Sequence, residues 1–184
     1  MGQYSKKESA GFTLVEALSV IAIVAILMSI GVPSYRSVTT SSRVSTEINS
    51  LLGDLQFARS QALKQGQPVT ACISVNGSTC SSSTLWQSGW IVFSDPNANG
   101  TVDTGETVWR VQRALSGGDD FKEPNGLKAV TFNRAGFALN LPNAGVLLSV
   151  HDEGRKPTFT RCLSITTAGM MTTQTHAKSP GTCS

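Results

Sequence analysis

The N-terminal part of the chain contains one long apolar segment, from Phe12 to Val32. Its 21 residues include a single formal charge, that of Glu16. As an α-helix the segment would be about 31 Å long, which matches the thickness of a bilayer core. Lys6 and Lys7 precede it, and positive residues stay on the cytoplasmic side of a membrane. The pattern therefore predicts one membrane-spanning helix, with the remainder of the chain exported.

A cleavable secretory signal peptide is the alternative for this segment. Signal peptides have an apolar core of roughly 7–15 residues, followed by small residues at the cleavage site. The segment here is longer, and residues 33–36 (Pro-Ser-Tyr-Arg) make a poor cleavage site. We therefore expect the helix to stay in the chain as an anchor.

Glu16 is the unusual residue of the apolar segment. A carboxylate at the centre of a membrane helix costs about 2.5–3.5 kcal/mol, and such residues are usually functional. If the chain were cut between Gly11 and Phe12, the new ammonium group of Phe12 could neutralise Glu16 of an adjacent subunit. A charge pair at about 4 Å contributes roughly 4 kcal/mol at an effective dielectric constant of about 20, which offsets the cost.

From Val44 onward the pattern becomes that of an amphipathic helix. Apolar residues recur at spacings of three and four, which places them on one stripe. Gly66 and Pro68 mark the end of this helix. We expect the membrane helix to continue into residues 37–65 through a kink or a melted stretch at Gly31–Pro33. The stripe consists of Val44, Ile48, Leu51, Leu52, Leu55, Ala58 and Ala62.

After Pro68 the apolar positions alternate, which is typical of β-strands, and turns rich in Gly, Asn and Pro separate them. No second long helix follows a strand, which argues against a parallel sheet. The predicted fold class is therefore α+β, with a long N-terminal helix packed on an antiparallel β domain at residues 67–184. The candidate strands are Val69–Val75, Gly89–Ser94, Thr107–Arg113, Ala129–Asn133, Gly145–Val150, Thr158–Ile165 and Met170–Thr173.

All four cysteines lie in the part of the chain that is predicted to be exported. An even number in an oxidising compartment indicates two disulfides, for which three connectivities exist. A Cys72–Cys80 bond would close a short hairpin loop, and a Cys162–Cys183 bond would tie a polar tail to a strand. A zinc site with four cysteine ligands is the alternative, but the chain has no Cys-x-x-Cys pair.

Composition narrows the class of protein. Apolar residues make up 40% and charged residues 15% of the chain, which argues against a disordered protein. The net charge of +3 is too small to indicate nucleic-acid binding by itself. The sequence places no carboxylate or cysteine near His151 or His176 at a spacing typical of a catalytic triad or metal site, and it contains no nucleophile elbow or phosphate loop. We therefore predict no enzymatic activity and no required cofactor.

A calcium loop is the strongest chemical pattern in the sequence. Oxygen donors occupy alternate places and the twelfth place of residues 95–106, and Gly100 occupies the sixth, which is the spacing of an EF-hand. The flanks are predicted strands, so a hairpin loop without metal is the alternative. The candidate Ca²⁺ ligands are Asp95, Asn97, Asn99, Thr101, Asp103 and Glu106.

Residues 6–16, Lys-Lys-Glu-Ser-Ala-Gly-Phe-Thr-Leu-Val-Glu, resemble the class III signal of type IV pilins and pseudopilins. Pro33 matches the proline that this family carries at the end of the apolar run. The resemblance implies a leader peptide, cleavage after Gly11 by a prepilin peptidase, and N-methylation of Phe12. It also implies a role for Glu16 in docking to other pilins during assembly.

The same resemblance implies a division of the chain into three parts. Residues 1–11 would be the leader, and residues 12–36 the transmembrane and assembly helix. Residues 37–184 would form a periplasmic domain made of the amphipathic helix and the β domain. The protein would be a single-pass inner-membrane protein before it joins a filament.

The exported part is similar to the GspH/FimT family of minor pilins and pseudopilins. This resemblance implies a minor pilin that initiates or caps a type IV pilus, and a type II secretion pseudopilin of the H type is the alternative. The matching stretches are Cys72–Cys80, Trp86–Phe93, Asp95–Asn97, Gly105–Glu106, Thr131–Gly136 and the C-terminal cysteine pair. Trp90 and Phe93 are expected to anchor the core.

DNA capture is a further, less favoured alternative, because some FimT-like relatives bind DNA through a Gly-Arg-x-Arg stretch after the first C-terminal cysteine. The corresponding residues here are Gly169-Met170-Met171-Thr172, so both arginines are absent. Other cations near the C-terminus could still contact phosphates. The candidate DNA contacts are Arg155, Lys156, Arg161 and Lys178.

Overall fold

The computed structural model describes residues 11–123, 126–142, 145–178 and residue 183. Contacts within the chain divide it into two compact units, the first ending at Thr39 and the second spanning Thr40–Ser184. Helix α1, Leu14–Gln65, contributes to both units. Apart from Gly11, the predicted leader peptide lies outside the described residues.

Helix α1 runs through Pro33 without interruption. Proline has no N–H, so the carbonyl of Ser29 loses its usual partner four residues on, whereas the neighbouring residues can keep theirs. The melted stretch that the sequence allowed at Gly31–Pro33 is therefore a wrong prediction.

In the first unit, every residue from Gly11 to Thr39 is exposed. Large apolar side chains dominate this surface, including Phe12 at 80% and Leu14 at 78% exposure. Within the described residues, α1 is the helix that is long and apolar enough to cross a membrane. Water is a poor solvent for such a surface, so the segment requires lipid or other helices around it.

In the second unit, the predicted apolar stripe of α1 is buried, except that Leu52 is only partly covered. Two acidic residues of the same helix, Glu47 and Asp54, are also buried, with 7% and 8% exposure. The helix ends where Gly66, with a φ of 66°, donates its N–H to the Ala62 carbonyl at 3.0 Å. A glycine in this left-handed conformation is a common helix terminator.

Two antiparallel sheets follow α1 in the second unit. One has the strand order β3-β2-β1-β5-β6 and the other the order β4-β7-β8-β9. Both contribute to one core with the buried stripe of α1, so the predicted α+β fold is confirmed. The strands are β1 (Val69–Ile73), β2 (Gly89–Ser94), β3 (Val108–Arg113), β4 (Asp120–Lys122), β5 (Ala129–Phe132), β6 (Ala138–Leu139), β7 (Val146–His151), β8 (Arg161–Ile165) and β9 (Met171–Thr175).

Three details of the strand prediction are corrected. Residues 158–160, predicted to begin a strand, lie in or next to a 3₁₀ turn at Pro157–Phe159, and β8 starts at Arg161. Pro157 has a fixed φ and no N–H to donate to a ladder, which favours the turn. Strands β4 and β6 were not predicted, because three and two residues are too short to show alternation.

The aromatic residues of β2 are core anchors, as expected, but they lie in two separate clusters. Trp90 belongs to the main core, whereas Phe93 packs with Cys72 and Ile91 in a second cluster. Both side chains are fully buried. Successive residues of a strand point to opposite faces, so β2 contributes to both clusters.

The cysteines form the two disulfides Cys72–Cys80 and Cys162–Cys183, which excludes the zinc alternative. The first bond closes the loop after β1, and the second attaches Cys183 to β8. Loops of these lengths are expected to stabilise the fold by about 2.5 and 3.3 kcal/mol in the chain-entropy treatment.

Asp54 connects α1 to two strands. The Nε1–H of Trp90 donates to its Oδ2 at 2.8 Å, and Arg110 donates to its Oδ1 at 2.7 Å. The Arg110 guanidinium also lies 4.0 Å from the ring centre of Phe57. Both oxygens of this buried carboxylate therefore hold groups of β2 and β3 against the helix.

We predict that Asp54→Ala lowers the free energy of unfolding by about 2–4 kcal/mol, because the buried Trp90 N–H loses its acceptor and Arg110 loses its counter-ion. Denaturant titration of the full chain in detergent, followed by tryptophan fluorescence, measures this change. Asn49→Ala, at an exposed position of the same helix, is the control and should cost less than about 0.5 kcal/mol. Equal losses in the two variants would contradict the role of Asp54.

Candidate functional site

Thr13 caps the N-terminus of α1. Its Oγ1 accepts the Glu16 N–H at 3.3 Å, and its carbonyl accepts the Ala17 N–H at 3.1 Å. Phe12 therefore lies just outside the helix, and Glu16 lies in the first turn, where the helix dipole favours a negative charge. The Thr-x-x-Glu spacing is a helix-capping pattern that can be read directly from the sequence.

Glu16 is the polar side chain of residues 14–32 that needs a partner from outside. The hydroxyls of Ser19 and Ser29 donate to the carbonyls of Glu16 and Ile26 at 2.8 and 2.7 Å, so they are already bonded within the helix. Within the described residues, no cation pairs with the Glu16 carboxylate. Phe12, just before α1, and Glu16, in its first turn, thus lie about one helical turn apart along the chain, and both are exposed.

The predicted calcium loop is a long connection between β2 and β3, as its flanks indicated. Asp95 is fully buried at its start. Its carboxylate accepts the N–H groups of Asn99 and Gly100 at 3.0 Å each and the Thr70 hydroxyl at 2.6 Å. Asp95 therefore fixes the backbone of the loop to β1.

The remaining candidate ligands form a hydrogen-bonded network in the same loop. The side-chain amides of Asn97 and Asn99 donate to Asp103 Oδ2 at 2.9 and 2.8 Å, which lowers the pKa of Asp103. Glu106 accepts the Asp103 N–H at 2.9 Å, and the Thr101 hydroxyl donates to Asn99 at 2.8 Å. Among the residues that the structure describes, no group of three or more His, Cys, Asp or Glu side chains is placed to hold a metal ion.

The four candidate DNA contacts are in different environments. Arg155 pairs with Asp120 at 2.6 Å, and Arg161 donates to two backbone carbonyls and to the Ser41 hydroxyl. Lys156 and Lys178 are exposed. Two of the four cations are therefore already engaged by groups of the chain itself.

Gly169 has a packing role in the turn between β8 and β9. It has a φ of 72°, and a Cβ there would collide with the Gly136 carbonyl of the β5–β6 turn. The glycine of the Gly-Met-Met-Thr stretch is thus explained by the close approach of two turns. Met170, which follows it, is 62% exposed.

Two family models match the chain. The model described as type II transport protein GspH matches residues 47–169, and the prokaryotic N-terminal methylation motif matches residues 6–32. The GspH match covers about two thirds of the sequence, and the chain belongs to this family.

The fold is similar to that of solved minor pilins and a pseudopilin. The type IV minor pilin FimU of Pseudomonas aeruginosa, in one crystal form, has a TM-score of 0.60 at 20% identity, covering 82% of this chain and 99% of FimU. A second crystal form gives a TM-score of 0.54 at 21% identity, with 77% and 98% coverage.

The minor pseudopilin EpsH of the Vibrio cholerae type 2 secretion system gives a TM-score of 0.50 at 15% identity, with 76% and 98% coverage. These likenesses agree on the type IV pilin fold. Together with the family membership and the methylation motif, they define the chain as a type IV pilin-like protein of the minor pilin and pseudopilin class.

Calcium binding by residues 95–106 stays a prediction. The amides of Asn97 and Asn99 would have to turn their oxygens toward an ion that also binds Asp103. Calorimetric titration of the full chain in detergent should then give a saturable heat with Ca²⁺. Asp103→Asn should remove this heat, whereas Glu153→Gln, outside the loop, should keep it. No heat at millimolar Ca²⁺ would reject the metal site and favour the hairpin loop.

Proposed function

We propose that the chain is a minor subunit of a type IV pilus, made as a precursor in the inner membrane and completed by removal of its leader. A prepilin peptidase would cut after Gly11, and Phe12 would then be N-methylated. The apolar helix would leave the lipid and pack among the helices of other pilins. The domain that follows would lie in the periplasm before assembly.

The observation that supports this proposal is the exposure of residues 12–32 combined with their match to the methylation motif. A helix that packs inside its own domain has one apolar stripe, whereas this segment is apolar on all sides and exposed on all sides. Before assembly, lipid would surround this apolar surface. In a filament, neighbouring helices would cover it.

Glu16 gives the assembly step its specificity. In lipid its carboxylate is unfavourable by about 2.5–3.5 kcal/mol, and the described residues offer it no cation. A Phe12 ammonium on an adjacent subunit would supply the missing charge and the missing hydrogen-bond donor. A pair at about 4 Å contributes roughly 4 kcal/mol at an effective dielectric constant of about 20. Docking at the correct axial position would thus be favoured over apolar contact in any other register.

Within the filament, we propose that the subunit initiates or caps assembly. A pseudopilin of the H type in a type II secretion system is the second candidate, and the name of the matching family favours it. Both candidates would use the same processed N-terminal helix with Glu16, so the residues of that helix do not distinguish a pilus subunit from a secretion pseudopilin. Pilus-assembly genes beside the gene would favour the first candidate, and secretion genes the second.

DNA capture is the weakest of the proposals for this chain. It depends on Lys156 and Lys178, because Arg155 and Arg161 are engaged within the domain. Two exposed lysines make few phosphate contacts, so binding would be weak and strongly salt-dependent.

We predict that Glu16→Val still inserts in the membrane but is lost from filaments, because the Phe12 ammonium of the next subunit has no partner. The measurement is the ratio of the variant in sheared filaments to the variant in the membrane fraction. Ser19→Val, one turn further along the same helix, is the matched control and should be incorporated as the unchanged protein is.

Glu16→Gln separates charge from hydrogen bonding, because glutamine keeps the size and polarity of the side chain but cannot neutralise an ammonium. We expect it to be lost from filaments as well. Normal incorporation of both Glu16 variants would reject charge pairing as the docking mechanism.

A further inference from the structure

Strand β9 is an open edge of its sheet. The strand order ends at β9, which pairs with β8 in a regular antiparallel register. Just beyond the two ends of that register, Thr166 donates its N–H to the Met170 carbonyl at 2.9 Å, and His176 donates to the Thr160 carbonyl at 3.4 Å. Hydrogen-bonded and non-hydrogen-bonded pairs alternate along an antiparallel ladder, so every second residue of β9 directs its N–H and C=O away from β8. These outward-facing residues are Met171, Thr173 and Thr175.

Among the described strands, three of the four sheet edges have features that oppose the addition of another strand. Strand β3 has the exposed Arg110 and Arg113, and its register against β2 shifts between Val92 and Phe93. Strands β4 and β6 have only three and two residues. Short length, charge and bulges are the usual ways in which proteins block edge pairing. Strand β9 has five residues, no charge, no proline and no register shift, so it is the edge that can accept a strand.

Helix α1 lies beside this edge. Two depressions follow one another between the helix and β9, with volumes of about 420 and 200 Å³. Gln56 and Arg59 line the first together with Met171, and Asn49 lines the second together with Thr173. We call the two depressions the β9 groove. Strand addition takes its affinity from main-chain hydrogen bonds and its specificity from pockets for alternate side chains, and the β9 groove offers both.

The β9 groove has an arginine at each end. Arg59 donates through Nε and Nη2 to the carbonyls of Gly136 and Ala168, and within the described residues its Nη1 has no partner. Arg161, at the other end, bonds to two carbonyls and to the Ser41 hydroxyl. The described part of the chain pairs neither arginine with a carboxylate, and no Asp or Glu of that part lines either depression. This charge distribution favours a ligand that brings a carboxylate.

A second copy of the chain fits the β9 groove poorly. Antiparallel pairing of two β9 strands would bring the Arg161 end of one copy against the Arg59 end of the other. Parallel pairing would place Arg59 against Arg59. Either direction brings like charges together, which is destabilising across a pair of strands. The occupant that the charges favour is therefore a segment of a different protein.

We propose that the β9 groove binds an extended segment of another protein, which pairs with Met171–Thr175 as an added strand and places a carboxylate at Arg59. Where it lies against β9, the segment would be uncharged and rich in β-branched residues, because such side chains fit a pleated surface. The site lies outside residues 12–32. It therefore goes beyond the proposed joining of a filament through the apolar helix, and either proposal can fail without the other.

Peptide titration of the full chain in detergent tests the charge requirement. The probe is Ser-Val-Thr-Val-Thr-Asp with an uncharged fluorophore at its N-terminus and an amide at its C-terminus, followed by fluorescence anisotropy. It should bind saturably, and the same peptide with Asn in place of Asp should bind roughly tenfold more weakly. Arg59→Gln should bind the two peptides equally. No saturable binding at millimolar peptide, or an unchanged ratio in Arg59→Gln, would overturn the proposal.

Thr173→Pro tests the strand addition itself. The Thr173 N–H faces the open edge, and proline is tolerated at such edge positions because the N–H is not needed for the ladder. This variant should keep its unfolding midpoint and lose peptide binding. Thr173→Val keeps the N–H and the β-branched shape, so it is the matched control and should bind as the unchanged protein does. Equal binding by Thr173→Pro and Thr173→Val would contradict strand pairing.

Amide hydrogen exchange tests the pairing pattern without any variant. At a peptide concentration of about ten times Kd, protection of the Met171, Thr173 and Thr175 amides should rise roughly tenfold. The Gln112 amide, on the β3 edge, should be unaffected. Protection gained at β3, or at none of the three β9 amides, would overturn the proposal even if Thr173→Pro does not fold. Protection that rises with protein concentration in the absence of peptide would assign the groove to a second copy and contradict a foreign segment.

Discussion

The carboxylate of Glu16 in an otherwise apolar helix is the constraint on which the rest depends. The serine hydroxyls of that segment bond to the helix backbone, so Glu16 alone requires something that lipid cannot provide. The Thr13 cap places this carboxylate at the positive end of α1, one turn from Phe12. A membrane anchor would be more stable without Glu16, and the proposed docking role gives a physical reason for its presence.

Helix α1 has two residue patterns, one suited to an apolar environment and one suited to packing on a domain in water. Residues 12–32 are apolar on every side, whereas the residues from Arg43 onward bury one stripe and use three polar residues as attachments. Arg59 donates to the carbonyls of Gly136 and Ala168 in turns of the two different sheets, Asp54 holds β2 and β3, and Arg43 holds Asp119. The helix thus makes polar contacts with both sheets, in addition to the core that it shares with them.

Local patterns predicted most of the fold, and long-range contacts account for what they missed. The apolar run, the stripe and the alternating strands are visible within windows of about 20 residues, and so is the methylation signal. Strand β4 pairs with β7, and the residue before it, Asp119, bonds to Arg43, which is 76 residues away. No short window of sequence shows either pairing. The same applies to the burial of Glu47, since a glutamate on an amphipathic helix is expected to face water. Thr13 is different, because its capping pattern could be read from the sequence.

Mass spectrometry of the chain purified from cell membranes and filaments tests the central claim most directly. Charge pairing at Glu16 requires a free amine at Phe12, so the mature polypeptide should begin at Phe12 and carry one methyl group on its nitrogen. Detection of the chain with residues 1–11 still attached, in the fraction that assembles, would contradict both the processing and the docking that depends on it.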